Sequence, residues 1–195
     1  MANNQTRSQD TQAAIMHAAF RLSAQKPIDS ITIREICTEA GVSIGAFYHH
    51  FSSRQDLICR AYEGFDRDFA AHMLSSTQDK TPLQSLSNLL LFQVSYVSQK
   101  GADAVSLYYR TILGDASREA VNPDRSYYRA AYICSRQLAD SGLLRPEYSP
   151  ADIAELCISF VRGCLVDWCL HGQSYDIVNR TRHLLPILFH GFIQD

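Results

Sequence analysis

The amino-acid sequence predicts an all-α protein of about nine helices: an N-terminal three-helix unit built around a helix-turn-helix, followed by a larger helical C-terminal region. Three observations lead there. Apolar residues recur at the i, i+3, i+4, i+7 spacing of a buried helix face along most of the chain. No sustained period-2 alternation and no Asn-Gly or Asp-Gly hairpin signal interrupts them. Glycine, proline and capping residues fall where such helices would start and stop.

Composition narrows the class further. With 195 residues, 46% of them apolar, the chain suits one ordinary domain or two small ones with a real core. No apolar run approaches the roughly 18 residues of a membrane span, and Met1–Asp10 is polar rather than signal-like, so the expected compartment is the cytoplasm. A net charge of −2 argues neither for nor against nucleic acid, and such a partner would need a local surface. Six cysteines, at 37, 59, 134, 157, 164 and 169, form no C-x-x-C pair and no zinc-ligand spacing, and read as small buried hydrophobes. Among the histidines, His49 and His50 are adjacent and His183 and His190 lie two turns apart, which is not ligand spacing. No metal and no cofactor is expected.

In chain order, Ile15, Ala18, Ala19 and Leu22 define the buried face of a first helix from about Ser8 to Gln25, ended by Pro27. Thr32 stands three residues before Glu35, a capping box, with Ile31 placed to staple onto Ile36. The second helix buries Ile33, Ile36, Cys37 and Ala40 and leaves through Gly41. Ser43 caps a short third helix. At about 100° per residue, Phe47 and Phe51 form its core side, and His49 points away with Gly45 and Ala46 beside it and Tyr48 and His50 on the flanks. A solvated face would more usually carry Lys and Glu. Small residues, a phenol and two imidazoles suit contact with another surface. Ser52-Ser53 cap a fourth helix that buries Leu57, Ile58 and Ala61, where the N-terminal amides and Arg54 together suit a phosphate. Helix, glycine-containing turn, helix is the arrangement that sets its second helix into the DNA major groove.

The run Thr32-Ile33-Arg34-Glu35-Ile36, then Ala40-Gly41-Val42-Ser43, then Phe47-Tyr48-His49-His50-Phe51 and Leu57, resembles the DNA-binding domain of the TetR family of bacterial transcriptional regulators, over about residues 8–60. The resemblance implies a cytoplasmic, non-enzymatic, sequence-specific DNA-binding regulator, a repressor released from operator DNA by a small-molecule effector. It assigns phosphate contacts to Tyr48, His50 and Arg54, with Thr32 and Arg34 facing the backbone, and base reading to the third helix. Two departures stand out. Arg54 replaces the commoner lysine, and Ile44 and Ala46 stand where polar base readers often occur. Base preference then rests on Ser43, His49 and apolar contact with thymine methyls. Gly41-Val42-Ser43-Ile44-Gly45 also spells the G-x-S-x-G of a hydrolase elbow, which would make Ser43 a nucleophile. That chemistry needs a strand entering the turn, and a capped helix enters here. The further alternative is a helical interaction protein that binds no DNA.

The fourth helix runs on to about Leu74 and links the N-terminal domain (1–60) to a regulatory and dimerisation region (75–195), across a polar patch from Ser75 to Thr81. Helices are expected over Pro82–Gln99, Asp103–Leu113 and Asp124–Ser141. Phe92, Tyr96, Tyr108, Tyr109, Tyr127, Tyr128 and Tyr132 crowd them. Individually these read as core, but collectively their hydroxyls suit a ligand pocket, for which Phe92, Tyr96, Tyr108, Tyr109, Tyr128, Tyr132 and the later Trp168 are candidates.

After Ser149-Pro150, a helix carries Ile153, Leu156, Cys157, Phe160, Val161, Cys164, Leu165 and Trp168 and ends at Gly172. A last helix carries Ile177, Val178, Leu184, Leu185, Leu188, Phe189 and Phe192, kinked at Pro186. One helix-turn-helix reads one half-site, so a homodimer is expected. By the same family resemblance, which extends weakly to Arg162-Gly163 and Asp167-Trp168-Cys169, the final two helices pair with a second copy. Phe160, Cys164, Leu184, Leu188 and Phe192 are the interface candidates, and Gly163 would permit close approach.

Overall fold

A computed structural model describes residues 2–23, 25–26, 30–75, 80–114 and 121–194. Among them are nine α-helices: α1 (Ala2–Ser23), α2 (Ile33–Ala40), α3 (Ile44–His50), α4 (Arg54–Ser75), α5 (Pro82–Ser98), α6 (Ala102–Gly114), α7 (Ser126–Asp140), α8 (Pro150–Leu170) and α9 (Ile177–His190). The expected stop at Pro27, Asp115 of the Gly114-Asp115 link and most of the polar patch after α4 lie outside the described residues.

The chain forms two compact units, Met1–Gly64 with Lys100–Ala116, and Phe65–Gln99 with Ser117–Asp195. The expected boundary at residues 60–75 therefore falls inside α4, and α6 belongs to the first unit rather than to the C-terminal region. The reason is local: α6 packs on α1, and the Lys100 ammonium lies 4.7 Å from the Phe20 ring centre.

In the first unit, Ile15, Ala18 and Ala19 of α1 are buried with Ile36 and Cys37 of α2, Phe47 of α3, Phe51 and Leu57. Phe47 and Phe51 meet with ring centres 5.5 Å apart. The capping box forms as the spacing predicts: Thr32 Oγ1 accepts from the Glu35 N–H, and Glu35 accepts from the Thr32 N–H at 2.8 Å. Gly41 has φ +68°, the left-handed conformation in which a side chain would be strained, and lets the chain leave α2 for α3.

In the second unit, α5 packs against α7, α8 and α9. Phe65 and Phe69 of α4 join Phe92, Tyr96 and Tyr127 in a continuous ring cluster, with centres 5.2–5.9 Å apart. Thr81 and Ser149 close capping boxes at the starts of α5 and α8, each followed by proline. One feature departs from the helical expectation. The last helix stops at His190, and the tail turns back to pair Leu144 with Ile193 in an antiparallel bridge. Arg145 fastens this clasp by donating from Nε to the Ile193 carbonyl and from Nη2 to the His190 carbonyl.

Candidate nucleic-acid interface

The interface begins with α3, seven residues long and started by Ser43, whose Oγ accepts from the Ala46 N–H at 3.1 Å. The Ser43 oxygen therefore serves as a helix cap, the role its position after a glycine turn dictates. With Phe47 and Phe51 inward, the opposite side is left to solvent: Ile44 is 44% exposed and Tyr48 55%, with Gly45 and His49 exposed beside them. Large apolar and aromatic surface is unusual on a solvated helix, and here it lies on the face the helical spacing assigns to contact.

The two imidazoles differ. Their rings sit edge to face, 5.1 Å apart. His49 is exposed, whereas His50 is half-buried beside Phe51, and burial, with help from His49 and Arg60, holds its pKa below the ordinary value. His50 is therefore neutral at pH 7 in the free protein and presents a hydrogen-bonding group rather than a cation.

Around α3, Arg34 and Thr32 are exposed at the start of α2. Thr32 is committed to the cap, and its partner Glu35 is held at about 2 by the Lys26 ammonium, 2.6 Å away, and by the Thr32 amide. Arg21 reaches Glu39 at 2.8 Å. Both α2 carboxylates are thus paired with cations from the α1 side, which reduces the negative field beside the α3 face.

The start of α4 is more closed than the sequence suggests. Arg54 is half-buried, and its Nη1 donates to the Ile31 carbonyl at 2.7 Å, tying α4 to the segment before α2. The Asp56 carboxylate folds back to accept from the Ser52 N–H at 2.7 Å and from Arg60 Nε at 2.9 Å. An internal anion thus already occupies part of this helix start. The Arg54 part of that closure depends on a side chain meeting a backbone carbonyl across 23 positions, and spacing along one helix does not reveal it.

The seven aromatic candidates for a ligand pocket do not converge. Phe92 and Tyr96 lie in the ring cluster, where Tyr96 donates to Asp68 at 3.1 Å and burial raises its pKa to about 12. Tyr108 and Tyr109 are on α6, in the other unit. Trp168 is buried and donates from Nε1 to the Tyr175 carbonyl. Tyr128 and Tyr132 line a cavity between α7 and α8.

The interface candidates divide as well. Phe160, Cys164, Leu184 and Leu188 are half-buried, whereas Phe192 is 1% exposed and stacks edge-on against Phe189 inside the clasp. The outward apolar residues are others: Leu156, Val166 and Leu170 on α8 with Gly163 among them, and Ile187 on α9. The signal was present, since α8 is apolar on more faces than one core uses. Its periodicity does not say which face is spare. Among the described residues no group of three His, Cys, Asp or Glu is placed to hold a metal, and no helix is long and apolar enough to cross a membrane.

Residues 15–61 match the model of the bacterial regulatory proteins of the tetR family. Over nearly the whole chain, the HTH-type transcriptional regulator AcrR of Shigella flexneri is 21% identical across 95% of this chain and 91% of its own. The HTH-type transcriptional repressor KstR2 of Mycobacterium tuberculosis is 28% identical across 93% and 92%. Among solved structures, the transcriptional regulator FadR from Bacillus subtilis, crystallised with stearoyl-CoA, superposes with a TM-score of 0.65 at 15% identity, covering 89% of this chain and 96% of its own. The helix-turn-helix at residues 15–61 is thus that of the bacterial regulatory proteins of the tetR family, and the helical fold beyond it is the one seen in the solved regulator structure.

Proposed function

We propose that this protein is a homodimeric transcriptional repressor that binds operator DNA through α3 and leaves it when a small molecule occupies the C-terminal unit. The observation that carries the DNA-binding part is the two-sided character of α3. Phe47 and Phe51 anchor it to the core, while Ile44, Gly45, Tyr48 and His49 face outward. Gly45 and Ala46 let the helix approach a groove closely. Tyr48, His50 and Arg34 reach phosphates, with Thr32 beside them on the same side, and His49 and Ser43 meet base edges. Arg54 acts first through its bond to Ile31, holding α4 in register with α2.

The exposed stripe of Leu156, Gly163, Val166, Leu170 and Ile187 supports a dimer through α8 and α9. The sequence candidates Phe160, Cys164, Leu184 and Leu188 border it, and Phe192 backs it from inside the clasp. A dimer suits a palindrome with half-sites about 34–36 Å apart. Effector release is a population shift: a ligand that favours the state with mismatched half-site spacing lowers operator affinity. The relatives include a repressor and a regulator crystallised with stearoyl-CoA, which supports this reading.

Footprinting on the DNA upstream of its own and neighbouring genes tests the proposal. A protected palindrome that is lost in Tyr48→Ala supports it. Unchanged affinity in that variant favours a helical interaction protein instead. A Ser43→Ala variant that loses a hydrolytic activity while keeping DNA affinity would point to the nucleophile elbow.

A further inference from the structure

The C-terminal unit contains a cavity of about 580 Å³ between α7 and the first half of α8, within the range of small-molecule sites. Its walls are largely apolar: Val121, Pro123, Ile133, Ala154 and Ile158, with the rings of Tyr128 and Tyr132. Into this lining comes one half-buried cation, Arg162. Its guanidinium carbon lies 5.5 Å from the Tyr128 ring centre, and its Nη2 donates to the Tyr128 hydroxyl. Ring and hydroxyl together fix the direction of the fork before any ligand arrives.

The other charges divide clearly. Arg129 is at the rim and already pairs with Asp124 at 3.1 Å. Glu155 is exposed at the rim and would repel a second anionic group on a ligand. A second cavity of about 420 Å³, between α5 and α9, has Arg182 and His190, both exposed, as its titratable lining residues, with Ser87 and Gln194 as the neutral polar ones.

From this arrangement, and resting on the repressor reading above, we propose that the α7–α8 cavity is the effector site and that its ligand is an amphipathic monoanion, an aromatic or alkyl body ending in one carboxylate held by Arg162. A planar guanidinium offers paired N–H donors that match a carboxylate, and the low-polarity walls strengthen that contact while burying the apolar body. The cavity also touches Val121 and Pro123, just ahead of Arg125, whose guanidinium grips Asp66 of α4. Occupancy therefore acts on the segment that holds the linking helix.

The test uses the full-length protein with three matched probes: 4-phenylbutyrate, its neutral amide and 4-phenylbutylamine. Titration calorimetry is expected to show saturable binding of the acid at least about ten-fold tighter than the amide, the loss of one charge-assisted contact. Arg162→Met removes that preference. Ile133→Asp, at a residue 54% exposed and so free of folding cost, weakens the acid and spares the amide. Equal binding of acid and amide, preference for the amine, or no saturable binding of any probe overturns the proposal. So does a change of oligomeric state in Ile133→Asp, which would make the groove a contact between copies. Operator binding without any probe is measured in parallel. Its absence would remove the repressor reading and leave the calorimetric answer about the cavity standing on its own.

Discussion

Arg125 and Asp66, 59 positions apart, meet at 2.6 Å, and the neighbouring Ser126 hydroxyl donates to the Asp66 carbonyl at 3.2 Å. The pair joins the linking helix α4 to the start of α7. With side chains only 16% and 25% exposed, it lies where solvent screening is weak, unlike the Arg129–Asp124 pair at 65% and 80%. Asp66→Asn is expected to lower unfolding free energy by about 1–3 kcal/mol, against about 0–1 kcal/mol for Asp124→Asn. Urea denaturation of the two single variants decides it, and a larger loss in Asp124→Asn would contradict the assignment.

Tyr48 and Arg34 separate two kinds of DNA contact. Tyr48→Ala removes an exposed ring and should weaken operator binding by roughly 5–30-fold without lowering thermal stability. Arg34→Ala should flatten the plot of log affinity against log salt by about one unit, the release of one phosphate counterion. Arg54 is the poorer probe of phosphate contact, because its bond to Ile31 makes its removal a folding perturbation too.

His50 gives a pH signature with opposite signs in binding and in folding. In the free protein its pKa lies below the ordinary 6.5, chiefly through burial. A DNA phosphate favours the charged imidazole, so binding takes up a proton, and operator affinity should rise as pH falls through the bound-state pKa, by at most about ten-fold per pH unit. The unfolded chain protonates first, so the unbound protein should lose stability as pH falls from 6.5 through the folded value. Anisotropy titrations from pH 8 to 6 should show the gain in the parent and little in His50→Gln.

Leu170 and Ile187 are 79% and 72% exposed, so charging both costs the single chain almost nothing. Leu170→Glu with Ile187→Glu should convert a dimer to a folded monomer in sedimentation velocity and weaken operator binding, with helical circular dichroism unchanged. A variant that stays dimeric would move the interface elsewhere.

Gly41 isolates backbone conformation from packing. A Cβ added there meets nothing within 4 Å, so only its φ of +68° opposes a side chain. Gly41→Ala should cost about 1–2 kcal/mol, visible as a lower melting temperature with unchanged helical content.

The sequence by itself determined the helices, their caps and the two faces of α3, because these depend on spacing within a few residues: Thr32 to Glu35, Phe47 to Phe51, the glycine at 41. Tertiary structure alone decided whatever depends on residues far apart in the chain. It turned Arg54 toward Ile31, set α6 on α1, and drew Phe192 into a clasp with the loop after α7. The aromatic candidates show the same division. The crowding of aromatics marked seven rings as suited to a pocket, but only packing could send Phe92 and Tyr96 to the ring cluster with Phe65, Tyr108 and Tyr109 to the other unit, Trp168 to its bond with Tyr175, and Tyr128 and Tyr132 to the cavity at Arg162. A helix pattern states how many apolar faces a segment has. Which face meets its own chain and which is left for DNA, ligand or a second copy is settled when the other helices arrive.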